Sequence, residues 1–176
     1  MMKSAMLLAA ALAAGLMAGL FAAFSYAVMP GLGMSSDKTF VEAMRNINVA
    51  ILNPWFMVCF MGGAVVGIAA LIVHRRSGRA VLVWTAAGLA LFVVMFLITS
   101  AFNVPLNDAL AKAGNAHLAA VRQRFEGPWN TWNLVRTLAS VGSFAAFSWA
   151  LVLYGRYVPK NQGLPSGSVQ AYSREP

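Results

Sequence analysis

Residues 80–102 read AVLVWTAAGLALFVVMFLITSAF and contain no Asp, Glu, Lys or Arg. At ~1.5 Å per residue, a helix of this length crosses a hydrocarbon layer ~30 Å thick. Three further apolar runs, at 6–29, 51–73 and 134–158, have about the same length and hardly a charge, Arg136 and Arg156 near the ends of the last being the exceptions. Four such runs make lipid the solvent for most of the chain and predict an all-α membrane four-helix bundle. The composition agrees, at 60% hydrophobic, 10% charged and a mean hydropathy of +0.68. A water-soluble chain of 18.8 kDa lacks the polar surface to cover such a core, and a disordered chain is far richer in charge. We therefore read residues 1–158 as one four-span domain. After Pro159 the composition turns to Asn, Gln, Gly, Pro and Ser, which predicts a disordered cytoplasmic tail over 159–176.

The first run also invites a signal-peptide reading, because Lys3 precedes an Ala- and Leu-rich stretch. A signal h-region ends after roughly 7–15 residues, whereas this run continues to Met29 and carries Gly15 and Gly19 at small-xxx-small spacing. It reads as a retained span. The net charge of +8 sits singly or in one cluster beside span ends, with no basic stripe, so nucleic acid is not an expected partner. Lys3, the Arg75/Arg76/Arg79 cluster, Arg156 and Lys160 share one side. By the positive-inside rule that side is cytoplasmic, with both termini inside a plasma membrane of bacterial inner-membrane type. On the other side Lys38, Arg45, Lys112, Arg122, Arg124 and Arg136 are mixed with Asp37, Glu42, Asp108 and Glu126. The lone Cys59 lies mid-span and has no second cysteine to pair with; no metal site is expected.

The two extracytoplasmic connections are long enough to hold a short amphipathic helix each. In the first, Ser35 or Ser36 caps a helix whose Phe40, Met44, Ile47 and Ile51 form an apolar stripe. Asn53-Pro54 then opens the second span, as N-cap and N1. In the second connection Asn107-Asp108 opens a helix with Leu110, Gly114, His117, Val121 and Phe125 on one face, and Gly127-Pro128 stops it. Pro30 to Pro54-Trp55 and Pro105 to Pro128-Trp129 recur at nearly the same spacing. This is a weak internal repeat whose halves would be related by an axis along the membrane normal.

Asparagines crowd the extracytoplasmic ends. Asn103 and Asn107 are four residues apart, and Asn130, Asn133, Arg136 and Thr137 follow at helical spacing. At membrane depth an unpaired amide or guanidinium costs several kcal/mol, so Asn133 and Arg136 should face the bundle interior. Each asparagine reads singly as a cap or interhelical bond; the cluster, with Trp129 and Trp132 interleaved, reads as a ligand site that Asn48 and Asn53 also border. Trp55 reads as an interface anchor, whereas Trp132 faces either the pocket or the bilayer. Arg136 either snorkels outward or neutralises an anion, with Glu126 and Asp108 as candidates. His117 is either a packing residue or a proton acceptor. His74, beside three arginines, reads as headgroup-facing, so the two histidines cannot grip one haem from both sides.

Several segments together resemble the anthrone oxygenase-like family of small four-span membrane proteins. They are Gly19-Leu20-Phe21 through Val28-Met29-Pro30-Gly31-Leu32, Ala43-Met44-Arg45-Asn46-Ile47-Asn48 leading to Asn53-Pro54, Asn103-Val104-Pro105-Leu106-Asn107, and Trp129 with Trp132-Asn133-Leu134-Val135-Arg136-Thr137. The resemblance spans roughly residues 15–155. Its most specific pieces are Asn-Val-Pro-Leu-Asn and Trp-Asn-x-x-Arg-Thr. It implies a four-span fold and, from the fungal members, oxidation of a lipophilic anthrone by dioxygen without a recognised cofactor motif; most bacterial members carry no assigned activity. Under that reading His117 is the base, Asn103, Asn107 and Asn133 are amide donors, Arg136 is the counter-charge, and Phe102 or Trp132 is a flat wall. The competing reading is a non-enzymatic module. It would bind a quinone or haem, or pack against a partner or a second copy through Gly15/Gly19 and Gly62/Gly63/Gly67.

The charge pattern generates a test of topology. In a Cys59→Ser background, Lys38→Cys and Lys112→Cys should react with a membrane-impermeant maleimide in intact cells, and Arg76→Cys only after lysis. The opposite labelling would reverse the orientation.

Overall fold

The computed structural model describes residues 2–161, with side-chain surroundings through residue 156. Among these residues there is no strand. The helices are α1 (Met2–Ala23), α2 (Met29–Gly33), α3 (Asp37–Ala50), α4 (Pro54–His74), α5 (Arg79–Ile98), α6 (Val104–Lys112) and α7 (Leu118–Asn161). Four helical stretches, Met2–Gly33, Pro54–His74, Arg79–Lys112 and Leu118–Arg156, are long and apolar enough to cross a membrane. Helix α1 packs on α4 and α7, and α5 packs on α4 and α7, so chain neighbours are also neighbours in the bundle. The remainder of the expected tail, beyond Asn161, lies outside the described residues.

Close packing, not hydrophobic exclusion from water, holds helices together in lipid. The inward face of α1 is accordingly small, with Ala10, Ala11, Ala14 and Ala18 buried between Leu7, Met17 and Phe21. Phe60, Phe92, Met95 and Phe147 fill the same core from the other spans. Gly63 makes room for the Phe92 ring, and Gly67 and Gly88 for Phe147. Gly62, next in sequence to Gly63, faces open space. The turn between α4 and α5 is closed by Gly78 at φ 102°, a left-handed position that suits glycine.

The two prolines expected near span ends do not end their helices. Pro30 lies just past a π-helical turn at Phe24–Val28, and Pro105 just past another at Thr99–Asn103. A proline ring collides with the carbonyl four residues back. Here those carbonyls belong to Tyr26 and Ala101, each inside a widened turn. The Met29 N–H reaches Phe24 O and the Val104 N–H reaches Thr99 O, so the helix carries on into α2 and α6. The first span therefore runs past residue 29 to Gly33, and the repeat extends to the placement of its π turns.

The connections differ thereafter. Ser36 caps α3 by accepting from Thr39 N at 3.2 Å; of the expected stripe Phe40 and Met44 are buried and Ile47 and Ile51 half-buried, and Val41 is buried beside them. Asn53 caps α4 by accepting from Phe56 N at 3.1 Å, with Pro54 in the first turn. The second connection departs from expectation. It has no helix from Asn107 to Gly127: α6 continues from the third span, the chain breaks between Lys112 and Leu118, and α7 passes through Gly127-Pro128 without stopping. Phe125 and Trp129 are buried one turn apart on either side of Pro128, which keeps the helix in register, and the lost bond falls on an exposed turn.

His74 also departs from expectation. It is 0% exposed, and because Ala70 O can only accept, its Nδ1 carries the proton that bridges them at 2.8 Å. Its ring meets Tyr154 edge-on at 4.9 Å. Bonding backward folds the imidazole onto its own helix instead of toward headgroups.

Replacing Gly63 with Leu should lower stability by about 1–3 kcal/mol through overpacking against Phe92. Gly62→Leu should leave it unchanged. Thermal unfolding in detergent micelles, run on both variants, checks the contrast.

Candidate functional site

The end of the bundle carrying both connections is assembled by two arginines. Arg122 donates from Nε to Glu126 at 2.7 Å, from Nη1 to Asp37 at 3.2 Å and Ser35 O at 3.0 Å, and from Nη2 to Gly33 O at 2.8 Å. Its guanidinium also lies over the Phe40 ring at 4.6 Å. Arg45 donates to Leu110 O at 3.0 Å, to Asn115 Oδ1 at 2.9 Å and to Ala113 O. The first ties the α2–α3 link to α7, and the second ties α3 to the end of α6. Between these ties Phe24, Met29, Phe40, Val41, Met44, Leu110, Phe125 and Trp129 form a second apolar core.

Beneath it lies a buried polar chain. Trp129, Asn133 and Arg136 recur on one face of α7. Asn133 is 1% exposed and donates from Nδ2 to Phe21 O at 3.0 Å and Ser25 Oγ at 2.8 Å. Its Oδ1 accepts from Arg136 Nε at 3.0 Å and Nη2 at 2.9 Å. The Arg136 guanidinium, 6% exposed, is stacked 4.0 Å from the Phe21 ring centre and 5.2 Å from that of Trp129. Trp129 in turn donates from Nε1 to Asn107 Oδ1 at 2.8 Å, and its main-chain oxygen accepts from Asn103 Nδ2 at 3.4 Å. The four-residue spacing of Asn103 and Asn107 thus delivers both amides to one tryptophan. Asn103 Oδ1 is fully buried with no partner among the described residues.

A cavity of about 340 Å³ opens onto this chain. Phe21, Phe24, Ile51, Phe56 and Phe60 give it apolar walls, and Arg136, Asn107, Trp129, Thr99, Asn48, Arg45 and Asp108 give it polar points. That volume and mix suit a small lipophilic ligand oriented by a few polar groups. Neither expected carboxylate neutralises Arg136: Glu126 is taken by Arg122, and among the described residues no ion pair includes Arg136. The guanidinium is held by an amide oxygen and two aromatic faces. Among the described residues no group of three or more His, Cys, Asp or Glu could hold a metal ion.

Five of the ten sequence candidates, Asn103, Asn107, Trp129, Asn133 and Arg136, are joined by direct contacts, and Asn48 borders the cavity. The others lie elsewhere. His117 is exposed at φ 60° in the break before α7, where its carbonyl accepts from Ala120 and Val121, and it borders a separate groove with Leu106, Leu110 and Phe125. The stripe that placed it inward assumed a continuous helix, and the break removes that register. Phe102 and Trp132 stack on each other at 3.6 Å and 7°, beside Pro105 and Pro128, so their rings are occupied outside the cavity. Asn53 is spent on its cap and borders a neighbouring cleft with Trp55 and Cys59. Thr99, Ser25 and Phe21 belong to the site but were not singled out. Nothing in their local sequence distinguishes them from other span residues.

Asn133→Ala strips Arg136 of its acceptor inside the bundle. Charged hydrogen bonds contribute about 1.5–3 kcal/mol each, so a loss of about 3 kcal/mol is expected. A thermal melt in micelles that matches the parent protein would show that the guanidinium has another anchor.

The family comparison covers this same region. The sequence profile described as anthrone oxygenase matches residues 55–146, just over half of the chain, and takes in α4, α5, α6 and the part of α7 that bears Trp129, Asn133 and Arg136. No curated protein and no solved structure matches. With four helices able to cross a membrane and a family match over most of them, the chain is a membrane protein that belongs to the anthrone oxygenase family.

Proposed function

We propose that the protein is a membrane oxygenase that binds a flat, lipophilic aromatic ketone of anthrone type in the 340 Å³ cavity and promotes its oxidation by dioxygen. The observation that carries this reading is Arg136, a buried guanidinium that borders an apolar cavity and has no carboxylate partner among the described residues. An anthrone has a weakly acidic methylene, and loss of its proton spreads negative charge onto the ketone oxygen. A fixed cation in a site of low dielectric stabilises that charge far more than water does. The resulting enolate is electron-rich enough to react with dioxygen directly, which is why we propose no resident cofactor. Arg136 is the counter-charge, Asn133 positions it, and Asn107 holds the Trp129 ring that forms part of the cavity wall. We place this end of the bundle on the extracytoplasmic side, from the arginine distribution.

The same cavity would serve a module that only holds a quinone, whose carbonyl oxygen Arg136 can equally bind. Oxygen uptake separates the two. With an anthrone added to the purified protein in micelles, uptake should exceed the protein-free rate, and Arg136→Leu should lower kcat/KM by about 100-fold. Arg136→Lys, which keeps the charge but loses the planar fork, should recover part of it. Ligand binding without oxygen uptake would leave the module reading in place, and an unchanged rate in Arg136→Leu would remove Arg136 from the chemistry.

A further inference from the structure

We infer that Asp108 is the catalytic proton acceptor of this reaction, an assignment that rests on the oxidation proposed above. Enolate formation needs a base within reach of the bound methylene, and the sequence candidate for it, His117, borders a different groove. The polar residues of the cavity are Arg45, Asn48, Thr99, Asn107, Asp108, Trp129 and Arg136. Of these only Asp108 carries a group that can serve as a base: the amides, the hydroxyl and the indole are too weakly basic, and a guanidinium has no acceptor.

The ion pairs of the described residues point the same way. Asp37 and Glu126 bind Arg122, and Glu42 lies 3.9 Å from Lys38. Among the described carboxylates Asp108 forms no ion pair. Arg45 is the cation that shares its side of the cavity. It directs Nε, Nη1 and Nη2 to Leu110 O, Asn115 Oδ1 and Ala113 O, so it fastens α6 instead of neutralising Asp108. The neighbouring Asn107 is fixed by the Trp129 indole, which sets the position of the helical turn that carries Asp108. Among the described residues, one cavity is thus bordered by a carboxylate and a guanidinium on different elements, α6 and α7, neither of them in an ion pair. Were the two paired directly, each would cancel the other.

The step balances as follows. Asp108 takes a methylene proton, the C–H electron pair enters the ring system, and the charge on the ketone oxygen lies against Arg136. The enolate carbon bonds to dioxygen, and the reduced oxygen recovers the proton from Asp108 to give a hydroperoxide. Loss of water with the second methylene hydrogen forms the new carbonyl. In sum, a methylene and dioxygen become a ketone and water, and the carboxylate is restored.

Proton abstraction can be read apart from oxidation. Under nitrogen in D₂O, purified protein in micelles should accelerate deuterium incorporation at the methylene of an added anthrone, followed by mass spectrometry. Asp108→Asn should cut this acceleration about 100-fold, and Asp108→Glu should restore part of it. Asp108 is exposed in α6, so an asparagine there is compatible with folding, which an unchanged thermal melt verifies. If Asp108→Asn exchanges deuterium and consumes oxygen as fast as the parent protein, the assignment is wrong while the oxidation reading stands. If the parent protein itself gives neither exchange nor oxygen uptake above the protein-free rate, both fall together.

Discussion

A guanidinium placed within a bundle that crosses hydrocarbon has to be satisfied by the chain that carries it. No water competes there, and an unmatched charge is expensive. In this protein an asparagine one turn earlier on the same helix supplies the acceptor, and that asparagine is itself held by a main-chain oxygen and a hydroxyl of α1. Two aromatic rings cover the remaining faces of the cation. Arg136 therefore fixes how α7 lies against α1, and through Trp129 it fixes where α6 begins. The apolar cavity exists because these commitments leave space between the walls.

The prolines have a comparable structural effect. Each would break a regular helix, but each is preceded by a widened turn that absorbs the steric conflict. In the third span the widened turn also carries Thr99 and Asn103, both buried, and passes into the helix that bears Asn107 and Asp108. Thr99 and Asn103 thus sit inward in the same distortion that accommodates Pro105.

Much of this was legible in the residues. Hydropathy located the four spans. The Ser36 and Asn53 caps were readable because a side-chain oxygen ahead of an apolar run has one dominant use. The Asn103/Asn107 and Asn133/Arg136 pairs were readable because helical spacing forces them onto one face. What failed depended on contacts distant in sequence. An inward His117 requires one helical period to run across Gly114-Asn115, where the helix is broken. Local propensity makes Pro128 a stop, but the buried Phe125 and Trp129 on either side outweigh it. Either Phe102 or Trp132 suits a flat wall by its chemistry, yet the two rings find each other first. The clasping roles of Arg45 and Arg122 rest on main-chain oxygens far along the chain, which no spacing rule reveals.

Because α7 runs without interruption, it also works as a depth gauge. Arg122, with its carboxylate partners, belongs to the water-facing end of the bundle. Arg136 stands roughly 21 Å further along the same axis and roughly 30 Å short of Arg156 at ~1.5 Å per residue, so the stretch between Arg136 and Arg156 alone matches a hydrocarbon layer ~30 Å thick. The cation is therefore stationed at the rim of the acyl layer, buried by the packing of the bundle and not by depth in the bilayer. What shields it from water is the contact between its own helices, so any change that loosened α1 from α7 would hydrate the charge.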